Sequence, residues 1–348
     1  MSATRVIKLL LLFFVLSLLI AGIKGLDIYH KAFTPNIQVK DSRETYFYVY
    51  TGSSFAEVFG LLKKKEMLKN EKTFEWTAHK KKYPDHIKPG RYLVKNRMSN
   101  NELVNLLRSG RQEPVMLTFN NTNTLKNLAD RVAVQLEFKS DALLAQMSDT
   151  SVLNRYDFTT QTLPAMFIPN TYEMYWNTTP EQFMERMYRE YNRFWTRLRQ
   201  AKAEKLNMTR VEVITLASIV NKETSFDSEK PRVAGLYINR LEKGIRLQAD
   251  PTLIFAWGDY SIHRVLNYHR QIDSPYNTYL NDGLPPGPIC IPDIASIDAV
   301  LNYERHNYIY MCAKPDFSGY HNFATTLEAH NRNAEAYRKE LNKRKIYN

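Results

Sequence analysis

The chain has 348 residues, 44% of them hydrophobic: long enough for two ordinary domains beside a terminal tail, and too apolar for a disordered polymer. Forty-eight Lys and Arg against 36 Asp and Glu give a formal charge of +12, which suits an anionic partner or a membrane surface. Nucleic acid is disfavoured as that partner, because there is no zinc-finger spacing, no RNA-binding aromatic signature and no glycine-rich phosphate loop. Cys290 and Cys312 are too few for a disulfide scaffold, although an exported pair could bridge. Neither they nor the His residues show ligand spacing, so no metal and no cofactor is expected.

Near the N-terminus, Arg5 and Lys8 precede fifteen apolar or small residues, Leu9 to Ile23, and Val6 and Ile7 extend the run if Lys8 snorkels. The following AGIKGLDIYHKAF offers no convincing A-x-A cleavage site. Residues 6–25 therefore read as an uncleaved signal anchor, single-pass in the cytoplasmic (inner) membrane, with the basic end inside and all that follows outside. A cleaved signal is the competing reading; the lack of Cys near residue 20 counts against a lipoprotein.

TYFYVY (45–50) predicts a strand, Gly52 a turn, and Ser54 with Glu57 a capping box for the helix FAEVFGLLKKK. KPGRYLV (88–94) predicts a second strand, and Ser99 with Glu102 caps a helix that stops at Gly110. The lysine runs at 63–65 and 80–82 could meet an acidic polymer, but such runs more often form solvated faces. Thr124–Leu136 and Ser140–Met147 read as short helices, 167–179 as an extended aromatic stretch, and Pro180–Arg199 as one long helix. Tyr172, Tyr175 and Trp176 are either a sugar-stacking platform or core.

Thr209 and Glu212 form a third capping box, after which Val213, Leu216, Ala217 and Val220 recur at i, i+3, i+4 and i+7 as one buried stripe. Glu223, seven residues past Leu216, falls at the edge of that stripe, with Lys222 on the opposite face. A carboxyl half-buried against apolar neighbours resists ionisation and can hold a proton near neutral pH, as a general acid must. The competing reading is an ordinary surface glutamate in a last helical turn.

Three polar, glycine-rich stretches follow: INRLEKGIRLQADPT (238–252), SPYNTYLNDGLPPGPI (274–289) and SGYHNFATTLEAHN (318–331). With ASIVNKET (217–224), they closely resemble the YceG-like endolytic murein transglycosylases. The resemblance is strong over residues 205–335 and weaker through 88–110, which is similar to the family's LysM-like subdomain, and FIPNTY. It implies an α+β chain: a transmembrane segment at 1–27, a LysM-like subdomain at 28–112 and a mixed α/β lytic transglycosylase catalytic domain at 113–348. It also implies internal cleavage of peptidoglycan glycan strands between N-acetylmuramic acid and N-acetylglucosamine, leaving a 1,6-anhydro end and terminating strand elongation. The implied partners are glycan strands, the cytoplasmic membrane and cell-wall synthases of the penicillin-binding class.

Family members commonly carry glutamate at both ends of an E-K-E segment. Here the first is Asn221, which cannot donate a proton, so the resemblance assigns the catalytic acid to Glu223. A second departure is Leu163-Pro164-Ala165-Met166 followed by Pro169-Asn170-Thr171, which puts in doubt any substrate contact carried over from that segment. One acid suffices for the implied chemistry. Glu223 protonates the leaving oxygen and, as a carboxylate, takes the proton of muramic acid's own 6-hydroxyl, a nucleophile already tethered to the substrate. The substrate-binding set carried over is Asn239, Arg240, Gln248, Asp250, Tyr276, Asn277, Tyr279, His321 and Asn322. Amides would bond N-acetyl groups and hydroxyls, tyrosines would stack on sugars, and Arg240 and Arg246 would meet lactyl or peptide carboxylates. Asp250 could instead cap a helix beginning at Pro251, and His321 could polarise a hydroxyl or serve the backbone. Two alternatives stay open: a muramidase-type hydrolase, which needs a second carboxylate such as Asp250, and a non-catalytic peptidoglycan-binding scaffold.

Overall fold

The computed structural model describes residues 3–40, 42–262 and 264–344. The chain forms two compact units, Met1–Met116 with Glu173–Thr178, and Leu117–Tyr172 with Thr179–Asn348.

The first unit starts with a single 31-residue apolar helix, α1 (Ala3–Phe33), whose leucines and phenylalanines stay exposed. Its last turn is tied down: the Lys31 carbonyl accepts from Thr77 Oγ1 (3.2 Å) and Asn100 Nδ2 (2.8 Å). Strand β1 (Glu44–Val49) pairs antiparallel with β2 (Gly90–Lys95), Phe47 opposite Tyr92. Between them lie α2 (Phe55–Lys64) and α3 (Glu71–Lys80), and after them α4 (Asn100–Ser109). Both capping boxes form, at Ser54 and Ser99, and α4 ends on Gly110 at φ +75°, where a residue without Cβ is favoured. Helix α3 has no counterpart in the sequence reading: EKTFEWTAHK buries only Phe74, Thr77 and Ala78, too short a stripe to stand out. Trp176 also belongs to this unit, packing edge-on against Tyr48 and Tyr50 at 4.9 and 5.1 Å, so it is core and not a sugar platform.

Strands β3 (Val115–Phe119) and β4 (Asn170–Met174) pair with each other, and α5 (Leu125–Ala133), α6 (Ser140–Ser148) and α7 (Thr150–Arg155) lie between them in sequence. The helix expected over 180–199 is two, α8 (Pro180–Phe194) and α9 (Arg197–Lys205). Trp195 leaves helical geometry to bury its indole, and Thr196 caps the new start by accepting from the Arg199 amide.

The second unit is organised round α10 (Arg210–Glu223), packed against α11 (Lys230–Glu242) and α13 (Ile294–Leu301), with α12 (Asp250–Trp257) on another side. All eight residues from Val213 to Val220 are buried, Thr215 and Ser218 included, so this part of α10 is buried all round instead of along one stripe. Ser218 satisfies itself inside the core, accepting from the Ile289 amide and donating to the Thr215 carbonyl. A short antiparallel pair, β5 (Tyr310–Ala313) and β6 (His321–Ala324), and the last helix, α14 (Leu327–Lys343), complete the unit. Cys290 is buried, Cys312 is partly exposed, and both are free thiols.

Gly235 sets the packing of α11. A Cβ there would stand 2.3 Å from the Glu304 carbonyl oxygen and 2.9 Å from His306 Nε2. Gly235→Ala gains helix propensity of about 1 kcal/mol, but the clash is with backbone and outweighs it. The expected result is a net loss of about 2 kcal/mol, read from urea denaturation midpoints.

Candidate active site

Helix α10 emerges from the core at Glu223, its final residue, because Thr224 turns extended (φ −142°, ψ 140°). Two residues further on, Phe226 stacks on Tyr320 with ring centroids 4.1 Å apart, which pins the start of β6 beside the end of α10. Gly319 permits this stack, since a Cβ there would lie 2.9 Å from the Phe226 ring. Glu223 thereby faces a polar pocket of about 380 Å³ walled by α11, α12, β5 and the first residue of β6.

The Glu223 Oε1 atom accepts from the Tyr237 hydroxyl at 2.5 Å, and Tyr237 is buried in α11. Burial pushes the Glu223 carboxyl up to about 7; the Tyr237 hydrogen bond and the field of His321 pull the other way, while Asp250 adds to the rise. Across the pocket, Asp250 accepts from the Tyr279 hydroxyl at 2.5 Å. Asp250 is not the cap of α12: it is the helix's first residue, no side chain caps that end, and its carboxylate is turned to Tyr279. His321 is held by Glu229, which is 4% exposed and takes both the His321 backbone amide (2.7 Å) and Nδ1 (2.9 Å). Arg240, also buried, spreads its guanidinium over the Arg246 and Ile309 carbonyls and Gln248 Oε1.

Glu223, Arg240, Gln248, Asp250, Tyr279 and His321 thus line one pocket. Four other expected substrate contacts lie elsewhere. Asn239 spends its amide on the His306 and Tyr308 carbonyls (2.7 and 3.0 Å). Asn277 is fully buried, donating to the Arg270 and Ile272 carbonyls and accepting from the Tyr279 amide, so it shapes the loop that carries Tyr279. Tyr276 lines a separate cavity of about 340 Å³, tilted against Phe255. Asn322 lies opposite Cys312 in the β5–β6 ladder, and of the β6 residues His321, not Asn322, lines the pocket. Arg246 pairs with Asp282 and the Tyr279 carbonyl. Residues 163–171 do not line the pocket either. Asn221, the departure from E-K-E, is spent away from it, donating to Asp293 Oδ2 (3.4 Å) and accepting from the Asp293 amide (3.3 Å). Sequence reasoning missed Tyr237 and Glu229. Tyr237 sits inside the apolar run VAGLYI, and Glu229 sits in a polar turn whose one sequence signal was the Pro231 that opens the next helix.

Comparison with known proteins fits this geometry. The model of the YceG-like family matches residues 47–336. The chain belongs to that family. An endolytic murein transglycosylase of Bacillus subtilis (strain 168) is 28% identical over 332 residues, covering 90% of this chain and 91% of that protein. One from Streptococcus pneumoniae (strain R6) is 29% identical over 322 residues, 84% of this chain but 58% of the longer relative. A crystal structure of a YceG-like protein from Listeria monocytogenes shares the fold with a TM-score of 0.56 and 27% identity, over 83% of this chain and 98% of that one. The family match spans the whole pocket, from Glu223 to His330.

Proposed function

We propose that the chain is an endolytic murein transglycosylase: it cleaves peptidoglycan glycan strands internally, with Glu223 as the general acid, and leaves 1,6-anhydromuramic ends. The observation that carries this reading is the half-buried acid itself, a carboxyl held near neutrality at the wall of a polar pocket. Protonated Glu223 gives its proton to the glycosidic oxygen leaving C1 of muramic acid. The 6-hydroxyl of the same sugar then closes on C1, and tethering supplies the effective concentration that a free water lacks. Arg240, Gln248, Asp250 and Tyr279 offer the hydrogen bonds that hold the sugar. A muramidase would need a second carboxylate to activate water, and Asp250 is already committed to Tyr279.

Residues 28–112 serve in this reading as a LysM-like glycan-binding module, and 113–348 as the catalytic domain. The apolar helix α1 anchors the chain in the cytoplasmic membrane with all that follows it outside, where nascent strands emerge from their synthases. Mass spectrometry of digested peptidoglycan tests the chemistry: anhydro-ended fragments support it, and reducing ends overturn it in favour of hydrolysis.

The acid must be protonated to act, so kcat should fall as pH rises through about 7. Tyr237→Phe removes the hydrogen bond that favours the carboxylate, and should therefore move this alkaline limb upward. A pH–rate profile of the two proteins checks the direction; a limb that moves downward contradicts it.

A further inference from the structure

We propose that His321, held by Glu229, is the base that removes the 6-hydroxyl proton while Glu223 protonates the leaving oxygen. This rests on the transglycosylase reading and changes one step of it: the second proton is taken by a different residue from the one that gave the first.

The geometry is that of a carboxylate–histidine dyad. Glu229 is buried and both of its oxygens are engaged by His321, Oε1 by the backbone amide and Oε2 by Nδ1. A carboxylate only accepts, so Nδ1 carries the hydrogen, and in the neutral ring the Nε2 lone pair is left for the pocket that His321 lines. The ring has little freedom to turn away. Its backbone is fixed by the same carboxylate, and its neighbour Tyr320 is stacked on Phe226. Two residues before β6, Gly319 at φ +81° lets the chain approach that stack. Structural histidines normally spend both nitrogens on the protein, whereas this one lines the pocket that holds Glu223.

The proton count closes. O6–H breaks with its proton going to Nε2, O6 bonds to C1, and the C1–O4 bond breaks with its electron pair going to O4, which receives the Glu223 proton. The imidazolium so formed stands against the Glu229 carboxylate on one side and faces the new Glu223 carboxylate on the other. Transfer of its proton to Glu223 restores both groups. Acid and base are then present at the same moment, so ring closure does not wait for Glu223 to be unloaded.

The experiment compares His321→Ala, Glu229→Gln and Glu223→Gln in the full-length protein in detergent, assaying anhydro-ended products from purified glycan strands with and without added imidazole. His321→Ala should lose roughly 10²–10³-fold in kcat with KM little changed, the range a general base supplies, and imidazole should restore a good part of it. Glu229→Gln offers one acceptor where the His321 amide and Nδ1 need two, turning an N–H on one of them, and should cost roughly tenfold or more in kcat, as loss of an orienting partner does. Glu223→Gln should be inactive with or without imidazole. His321→Ala that melts like the parent yet keeps most of its kcat, or gains nothing from imidazole, overturns the proposal. If His321→Ala fails to fold, Glu229→Gln decides, and an unchanged kcat there overturns it. Full activity of Glu223→Gln, or reducing ends from the parent, would instead overturn the transglycosylase reading, so the two failures are distinct.

Discussion

Glu223→Gln should abolish glycan cleavage, lowering kcat by about 10³-fold or more, within the range lost with a general acid. The amide is the same size and still accepts from the Tyr237 hydroxyl, so the pocket keeps its shape and only the transferable proton is gone. The same substitution should stabilise the protein at alkaline pH. The carboxyl is held up to about 7 by burial, so between its ordinary value and that point the folded state binds the extra proton. Stability therefore falls as pH rises through this window and stays reduced above it. A glutamine carries no such penalty, and urea unfolding at pH 8.5 should show it more stable than the parent by on the order of 2–3 kcal/mol, with no difference near pH 4. Activity and stability would thus move in opposite directions, as expected where a site holds a buried acid. Equal stability at pH 8.5 would mean that the carboxyl is not desolvated.

Lys230→Met should destabilise the second unit by about 3–5 kcal/mol, the cost of leaving a partly buried charge unpaired. Lys230 is 2% exposed and donates to Asp293 and Asp227, both at 2.7 Å. Asp293 in turn caps α13 through the Ser296 amide and receives Asn221 from α10, so one ammonium ties the starts of two core helices to the end of a third. Burial alone would raise the Asp293 carboxyl, but the hydrogen bonds from Lys230 and Ser296 outweigh it and hold the group below its ordinary value. A carboxyl lowered in this way contributes stability that is present at neutral pH and lost as the solution is acidified through its folded value. The parent should lose that contribution on acidification below about pH 4, the ordinary carboxylate range, whereas Lys230→Met should have little of it left to lose. Thermal melts at pH 7 and pH 3 measure both; a parental melting temperature for the variant at pH 7 would refute the linkage.

Local signals were readable from sequence, and relations between distant segments were not. The capping boxes at Ser54, Ser99 and Thr209 are readable because each is closed by a residue three positions away. Glu223 is readable as a boundary acid because the apolar run before it fixes where the helix leaves the core. The all-round burial of α10 is not, since only the packing of α11 and α13 decides whether Thr215 and Ser218 face protein or water. The break at Trp195 is hidden because 180–199 has helical composition throughout, and the indole's need for burial is a tertiary fact. Within the pocket, a shared motif does not mean a shared direction. His321 and Asn322 are adjacent in sequence, yet only the first lines the site, and in SPYNTY the buried Asn277 serves the loop while Tyr279 reaches Asp250. Tyr237 and Glu229 were missed because their partners lie 14 and 92 residues away.

Helix α1 has a mechanical consequence. Its 31 residues span about 46 Å at 1.5 Å each, roughly 16 Å more than a bilayer's hydrocarbon thickness of about 30 Å. The surplus is no slack tether, because it is continuous helix whose final turn is bonded into the first unit through the Lys31 carbonyl. In the anchored arrangement proposed above, that unit is carried on a mast and not on a leash, at an altitude above the lipid set by the helix.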